Sequence, residues 1–155
     1  MTKILKIVSG GQMGVDRAAL DFAISRGIEH GGWVPKGRKA EDGTIPACYR
    51  VTETRTSKYS ERTRRNVLDS DGTLIVFDAT MSGGTALTYS LAVEREKPVL
   101  PINVGETRAE DAAKVICSWI RQNRIRVLNI AGPRESQSPG IYRKCYQVLE
   151  KTFNH

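Results

Sequence analysis

The chain has 155 residues, 24 Lys or Arg against 17 Asp or Glu, a formal net charge of +7 and 39% hydrophobic residues. That size and balance suit a single ligand-binding domain over residues 1–155 with a core of its own, and they exclude a low-complexity or fibrous chain. The longest apolar stretches, such as residues 74–77, are far too short to span a bilayer, and the first residues lack a signal-peptide pattern, so a cytoplasmic protein without a membrane role is expected.

In chain order, residues 4–9 form a β-branched run ending at Gly10. Val15, Ala18, Ala19, Phe22 and Ala23 then recur at helical spacing until Gly27. A short strand is expected at residues 32–34, before Pro35. Residues 36–58, with Gly37, Gly43 and Pro46, read as a long functional loop. A helix is expected over residues 59–67. Asp71-Gly72 then launches the apolar run 73–77, which suits a strand buried on both faces of a parallel sheet. After Ser82-Gly83-Gly84-Thr85 come a helix to about residue 96, a strand over 98–104, and a helix with its stripe at Ala112, Val115, Ile116, Trp119 and Ile120. The next strand covers residues 127–131. Ser138 and Pro139 start a last helix that turns Ile141, Cys145, Val148 and Leu149 inward. Alternation of this kind predicts an α/β fold, a Rossmann-like open, mainly parallel sheet with helices on both faces.

In such sheets ligands bind at the carboxyl ends of the strands, where loops meet helix N-termini. Gly10, Gly11, Gln12 and Gly14 follow the first strand, and Ser82, Gly83, Gly84 and Thr85 stand in the equivalent place later, with Thr88 beyond. Glycines there let the backbone approach an anion, and the helix start offers free N–H groups. Neither loop is a Walker loop or a standard G-x-G-x-x-G. Lys36, Gly37 and Arg38 after the second strand and Arg134 after the last complete a predicted crevice for a phosphorylated, flat small molecule.

Charge supports an anionic ligand. Residues 33–66 hold nine Lys or Arg against four acids, a surplus that attracts polyanions. Aromatics at 6% and no recognised reader motif argue against nucleic acid. Arg62, Arg64 and Arg65 read as a solvated helix face, of which Arg62, with Thr63 and Asn66, can reach the crevice. Asp16 in a first helical turn is either a dipole partner or a ligand contact, and Arg17 is ambiguous in the same way. Arg134 pairs with Glu135 or clamps an oxyanion, and the clamp is preferred. Trp33 and Tyr49 either stack on a flat ring or pack beneath the loop. His30 and His155 lie far apart, and Cys48, Cys117 and Cys145 lack Cys-x-x-Cys spacing, which argues for reduced thiols and against disulfides or a protein-held metal.

The segments VSGGQMGVDRAALD (8–21), GGWVPKGRKAEDGTIP (31–46), YSERTRRNVLDSDGTLI (59–75), SGGTALT (82–88) and AGPRESQSPGIY (131–142) resemble the molybdenum cofactor carrier family. That family belongs to a wider superfamily that resembles the Lonely Guy phosphoribohydrolases and nucleotide-sensing domains. The resemblance covers almost the whole chain. It implies a homo-oligomer, a dimer or tetramer, that binds molybdenum cofactor (molybdopterin) and stores it or hands it to molybdoenzymes, a binding protein with no catalytic residue. The alternative is a nucleotide sensor or a phosphoribohydrolase-like enzyme acting on a nucleoside phosphate. Met13 stands where that family pattern has threonine and Val34 where cysteine is frequent. The glutamate that follows the glycine loop in the phosphoribohydrolases is missing here, leaving Asp16 or Glu135 for any proton transfer.

Overall fold

A computed structural model describes residues 3–154. His155, one of the two histidines weighed above, lies outside them. Five parallel strands form the main sheet in the order β2-β1-β9-β7-β8, namely β1 (Lys6–Val8), β2 (Glu29–Gly31), β7 (Gly72–Phe77), β8 (Val99–Asn103) and β9 (Val127–Ala131). Helix α1 (Val15–Ser25) packs on α5 (Ile141–Thr152), and α5 on α4 (Ala109–Asn123); α2 (Tyr59–Leu68) packs on α3 (Gly83–Glu94). The fold is therefore Rossmann-like α/β, with the connections expected of parallel strands.

Strand alternation makes the two sheet faces unlike each other. Ile7, Leu128, Ile130, Leu74 and Val76 enter the main core with Phe22 of α1, Ile116 of α4 and Leu149 of α5. The neighbouring positions Thr73 and Asn129 are also buried, yet they face elsewhere and bond to each other, Asn129 Nδ2 donating to Thr73 Oγ1 at 3.2 Å. One face is thus the main apolar core, and the other, toward α2 and α3, mixes the Thr73–Asn129 pair with buried Ile75 and Val8.

The second strand departs from expectation. The main sheet takes residues 29–31, whereas β3 (Trp33–Val34) leaves it to pair with β6 (Thr52–Glu53). The register with Lys6–Val8 selects residues 29–31, since Glu-His-Gly carries no strand signal of its own. The long loop is not structureless: β4 (Lys39–Ala40) pairs antiparallel with β5 (Gly43–Thr44), and Val34, Ala40, Ile45 and Tyr49 build a small second core with Leu20 of α1. Edge strand β8 carries Pro101 at its centre, and edge strand β2 is three residues long.

Asp21 of α1 joins three elements by accepting from Tyr49 Oη at 2.6 Å and from Tyr142 Oη of α5. Burial and the Asp21 carboxylate together push both phenols above their usual range, so they stay protonated donors. Tyr142→Phe should lower the unfolding free energy by about 1.5–3 kcal/mol, the scale of a hydrogen bond to a charged acceptor. Chemical denaturation alongside Tyr49→Phe and the double variant would reveal the shared acceptor as non-additivity.

Candidate functional site

At the carboxyl ends of β1 and β9, between α2 and α3, lies a crevice of about 230 Å³. Its floor is Gly10, Asn129, Ala131 and Gly132; one wall is Tyr59, Arg62, Thr63 and Asn66 of α2, and the other is Gly84, Thr85, Leu87 and Thr88 of α3. Gln12, Asp16, Arg134 and Gln137 also line it.

The first loop is ordered by its own side chains. Asp16, 6% exposed, accepts the Gln12 backbone N–H on Oδ2 at 3.2 Å. Arg62 Nη1 stands 3.8 Å from that oxygen and donates to the Gly10 carbonyl at 2.8 Å. Burial holds the Asp16 carboxyl above its ordinary value of 3.8 against the opposing fields of Arg62, Arg17 and Arg134, and burial likewise pulls the Arg62 guanidinium down. A carboxyl raised in the folded state binds a proton there that the unfolded chain has already released. Stability from this group therefore falls as pH rises from about 3.8 through the folded value, and is flat beyond it. Asp16→Asn should consequently gain on the wild type across that interval, which urea midpoints measured between about pH 4 and 7 would show.

Gln12, 3% exposed, accepts the Glu41 N–H on Oε1 at 3.0 Å, which fixes its amide orientation, and its buried Nε2 has no hydrogen-bond partner among the described residues. Tyr59 gathers cations: Lys39 Nζ lies 4.3 Å from its ring centroid, Arg134 Cζ 4.7 Å and Arg62 Cζ 5.2 Å. The nearest acid to Arg134 is Glu41, at 3.9 Å. Opposite them, Ser82 gives α3 no side-chain cap; Thr85 N–H donates to the Ser82 carbonyl at 3.1 Å, and the amides of Gly83 and Gly84 make no hydrogen bond among the described residues.

Seven of the sequence-predicted residues meet in the crevice, namely Gly10, Gln12, Asp16, Gly84, Thr85, Thr88 and Arg134. The other eight do not line it. Gly11, at φ +79°, directs its missing Cβ toward Ile45 and Val34 of the second core, with Ile45 Cδ1 2.8 Å away. Gly14 bridges Arg134, and a Cβ there would meet the Pro133 carbonyl at 2.6 Å, so its glycine serves the close approach of two loops. Arg17 clamps Asp42 with two bonds of 3.0 Å and the Gly11 carbonyl with a third of 2.8 Å. The Gly37 amide binds Glu53 Oε1 at 2.6 Å beside an exposed Lys36, and Arg38 closes the long loop on the carbonyls of Ile45, Pro46 and Tyr49. Those residues leave the crevice because β3 has left the main sheet. Ser82 and Gly83 stay exposed before Gly84. Glu135 accepts the Gly140 and Tyr142 amides at the start of α5, so both of its oxygens are spent on helix structure.

Arg62, Thr63 and Asn66, expected from the sequence to be able to reach the crevice, line its α2 wall, Arg62 with a side chain only 11% exposed and not as a solvated face; Tyr59 of the same wall was not anticipated. Asn129 and Gln137 carried no comparable signal.

The sequence profile of the circularly permutated YpsA SLOG family (cpYpsA) matches residues 7–153. The chain belongs to this family. A cpYpsA chain should share its architecture with relatives of similar sequence, and a solved structure bears this out. A crystal structure at 1.45 Å from Syntrophus aciditrophicus SB, named "Putative molybdenum carrier protein", is 52% identical, with a TM-score of 0.97 over 98% of this chain and 96% of that one. No curated protein matches. Among the described residues no helix is long and apolar enough to cross a membrane.

Proposed function

We propose that the crevice binds the phosphorylated pterin of molybdenum cofactor and that the protein stores the cofactor or passes it to molybdoenzymes. The observation that carries this reading is the buried, unpartnered Nε2 of Gln12 at the crevice wall. An unpaired buried donor costs free energy in the free protein, and a ligand acceptor recovers it. The carrier name of the 52% identical relative supplies the ligand class. The phosphate belongs at the start of α3, facing Arg134, since the amide of Gln12 is already taken by the Asp16 carboxylate, which would repel a second anion. The metal arrives bound to the cofactor. A homo-oligomer in the cytoplasm goes with this reading.

Native mass spectrometry of the protein with molybdenum cofactor, AMP and ADP-ribose together tests the reading. One cofactor mass per subunit in a dimer or tetramer is the expected result. Retention of a nucleotide alone, or release of a free base, would instead establish the nucleotide alternative.

A further inference from the structure

Asp16 and Gln12, joined by the Gln12 N–H bond, both line the crevice and both keep hydrogen-bonding capacity unused. Oδ2 of Asp16 takes one backbone N–H, and Oδ1 makes no hydrogen bond among the described residues. Arg62, at 3.8 Å, is a counter-ion beyond hydrogen-bond range and has given its Nη1 to Gly10. A carboxylate can accept several hydrogen bonds, so this one arrives at the crevice with most of its capacity unused. Beside it, the Gln12 amide is held by Glu41 with its N–H2 group unpaired. Both residues line the crevice, one with an unused acceptor and the other with an unpaired donor, and their hydrogen bonds to the Gln12 and Glu41 amides hold them before any ligand arrives.

The complementary edge carries donors next to an acceptor. A 2-amino-4-oxo-pyrimidine ring has this order, its 2-amino and N3 hydrogens followed by the 4-oxygen. Adenine has no such edge. We propose that Asp16 and Gln12 are the specificity residues of the crevice, with Asp16 accepting the 2-amino and N3 hydrogens of a pterin and Gln12 Nε2 donating to its 4-oxygen. The assignment rests on the pterin reading above and deepens it by fixing which end of the ligand meets which wall. The ring edge lies at the first loop, and the phosphate at α3. Arg62 becomes a positioning residue, holding the loop and favouring the ionised form of Asp16 against its burial. No covalent step is involved.

A pair of simple probes separates this assignment from the reading it rests on. The phosphate ester of 6-hydroxymethylpterin and that of the corresponding lumazine differ at position 2, where an amino donor is replaced by an oxo acceptor. Calorimetric titration of the full chain should find the pterin ester tighter by about tenfold or more, the effect of one hydrogen bond to a charged group. Asp16→Asn puts an N–H2 group opposite position 2 and should abolish or invert the preference. Gln12→Glu should weaken both esters alike, because both keep the 4-oxygen. Equal affinity of the wild type for the two esters overturns the specificity assignment and leaves the pterin reading standing. A preference that survives Asp16→Asn overturns the role of Asp16. Failure of both esters to bind overturns the pterin reading and the assignment with it. Should Asp16→Asn unfold, the wild-type ratio together with Gln12→Glu decides the matter.

Discussion

Arg62→Ala should be the most damaging single change in the crevice, lowering stability by about 3–5 kcal/mol, the usual result of removing one partner from a buried ion pair. The side chain is 11% exposed, donates to the Gly10 carbonyl and is the cation that acts most strongly on Asp16. Without it, Asp16 faces desolvation with only the weaker fields of Arg17 and Arg134. The deficit should be smallest in acid, where Asp16 is protonated in both proteins, and should grow only once the pH passes the folded wild-type value of Asp16, which the loss of Arg62 raises further in the variant. Urea titration at several pH values measures both magnitude and sign. A deficit independent of pH would mean that Arg62 acts through the Gly10 contact alone. Ligand affinity should fall at least about tenfold as well, from the loss of a charged donor in the crevice.

Gly84→Leu should remove ligand binding and leave the fold intact. Nothing lies within 4 Å of where its Cβ would stand, and the position faces the crevice on the first turn of α3. A side chain there occupies ligand space without displacing protein atoms, and replacing glycine in a helix adds stability of up to about 1 kcal/mol. A thermal melt at or slightly above that of the wild type, with no retained ligand in the mass spectrum, is the expected pair of results. Unaltered binding would move the ligand off the α3 wall. Gly11→Leu offers the contrast. Its positive φ and the Ile45 methyl 2.8 Å away make that variant an unfolding probe, so lost binding there says nothing about contact with a ligand.

The sequence was most legible where one physical demand acted on many neighbouring residues. The run 73–77 can be only a buried strand, and it lies in β7 (Gly72–Phe77); residues 127–131 form β9 as expected. Both glycine loops reach the same crevice, because a strand end and a helix start leave little else for such residues to do. Arg62 was harder to read. A polar residue on a polar helix looks the same from the sequence whether it faces solvent or a polar cavity, and only the packing of α2 on α3 separates the two. Lys36, Gly37 and Arg38 were misplaced for a topological reason. The rule that ligands sit at strand ends holds for strands of the main sheet, and whether β3 joined that sheet depended on a register with β1 set by residues far away in the chain.

The edges of the sheet bear on how copies of the chain can meet. A strand invites a newcomer when it offers an unbroken row of free amides and carbonyls, and that invitation is how ordered aggregates begin. At one border, β8 has a ring in place of an amide hydrogen at Pro101, and at the other, β2 ends after three residues. Neither border is a good template for further strands. Any contact between copies is thereby left to the helical surfaces, where a closed assembly and not a fibre is the available outcome.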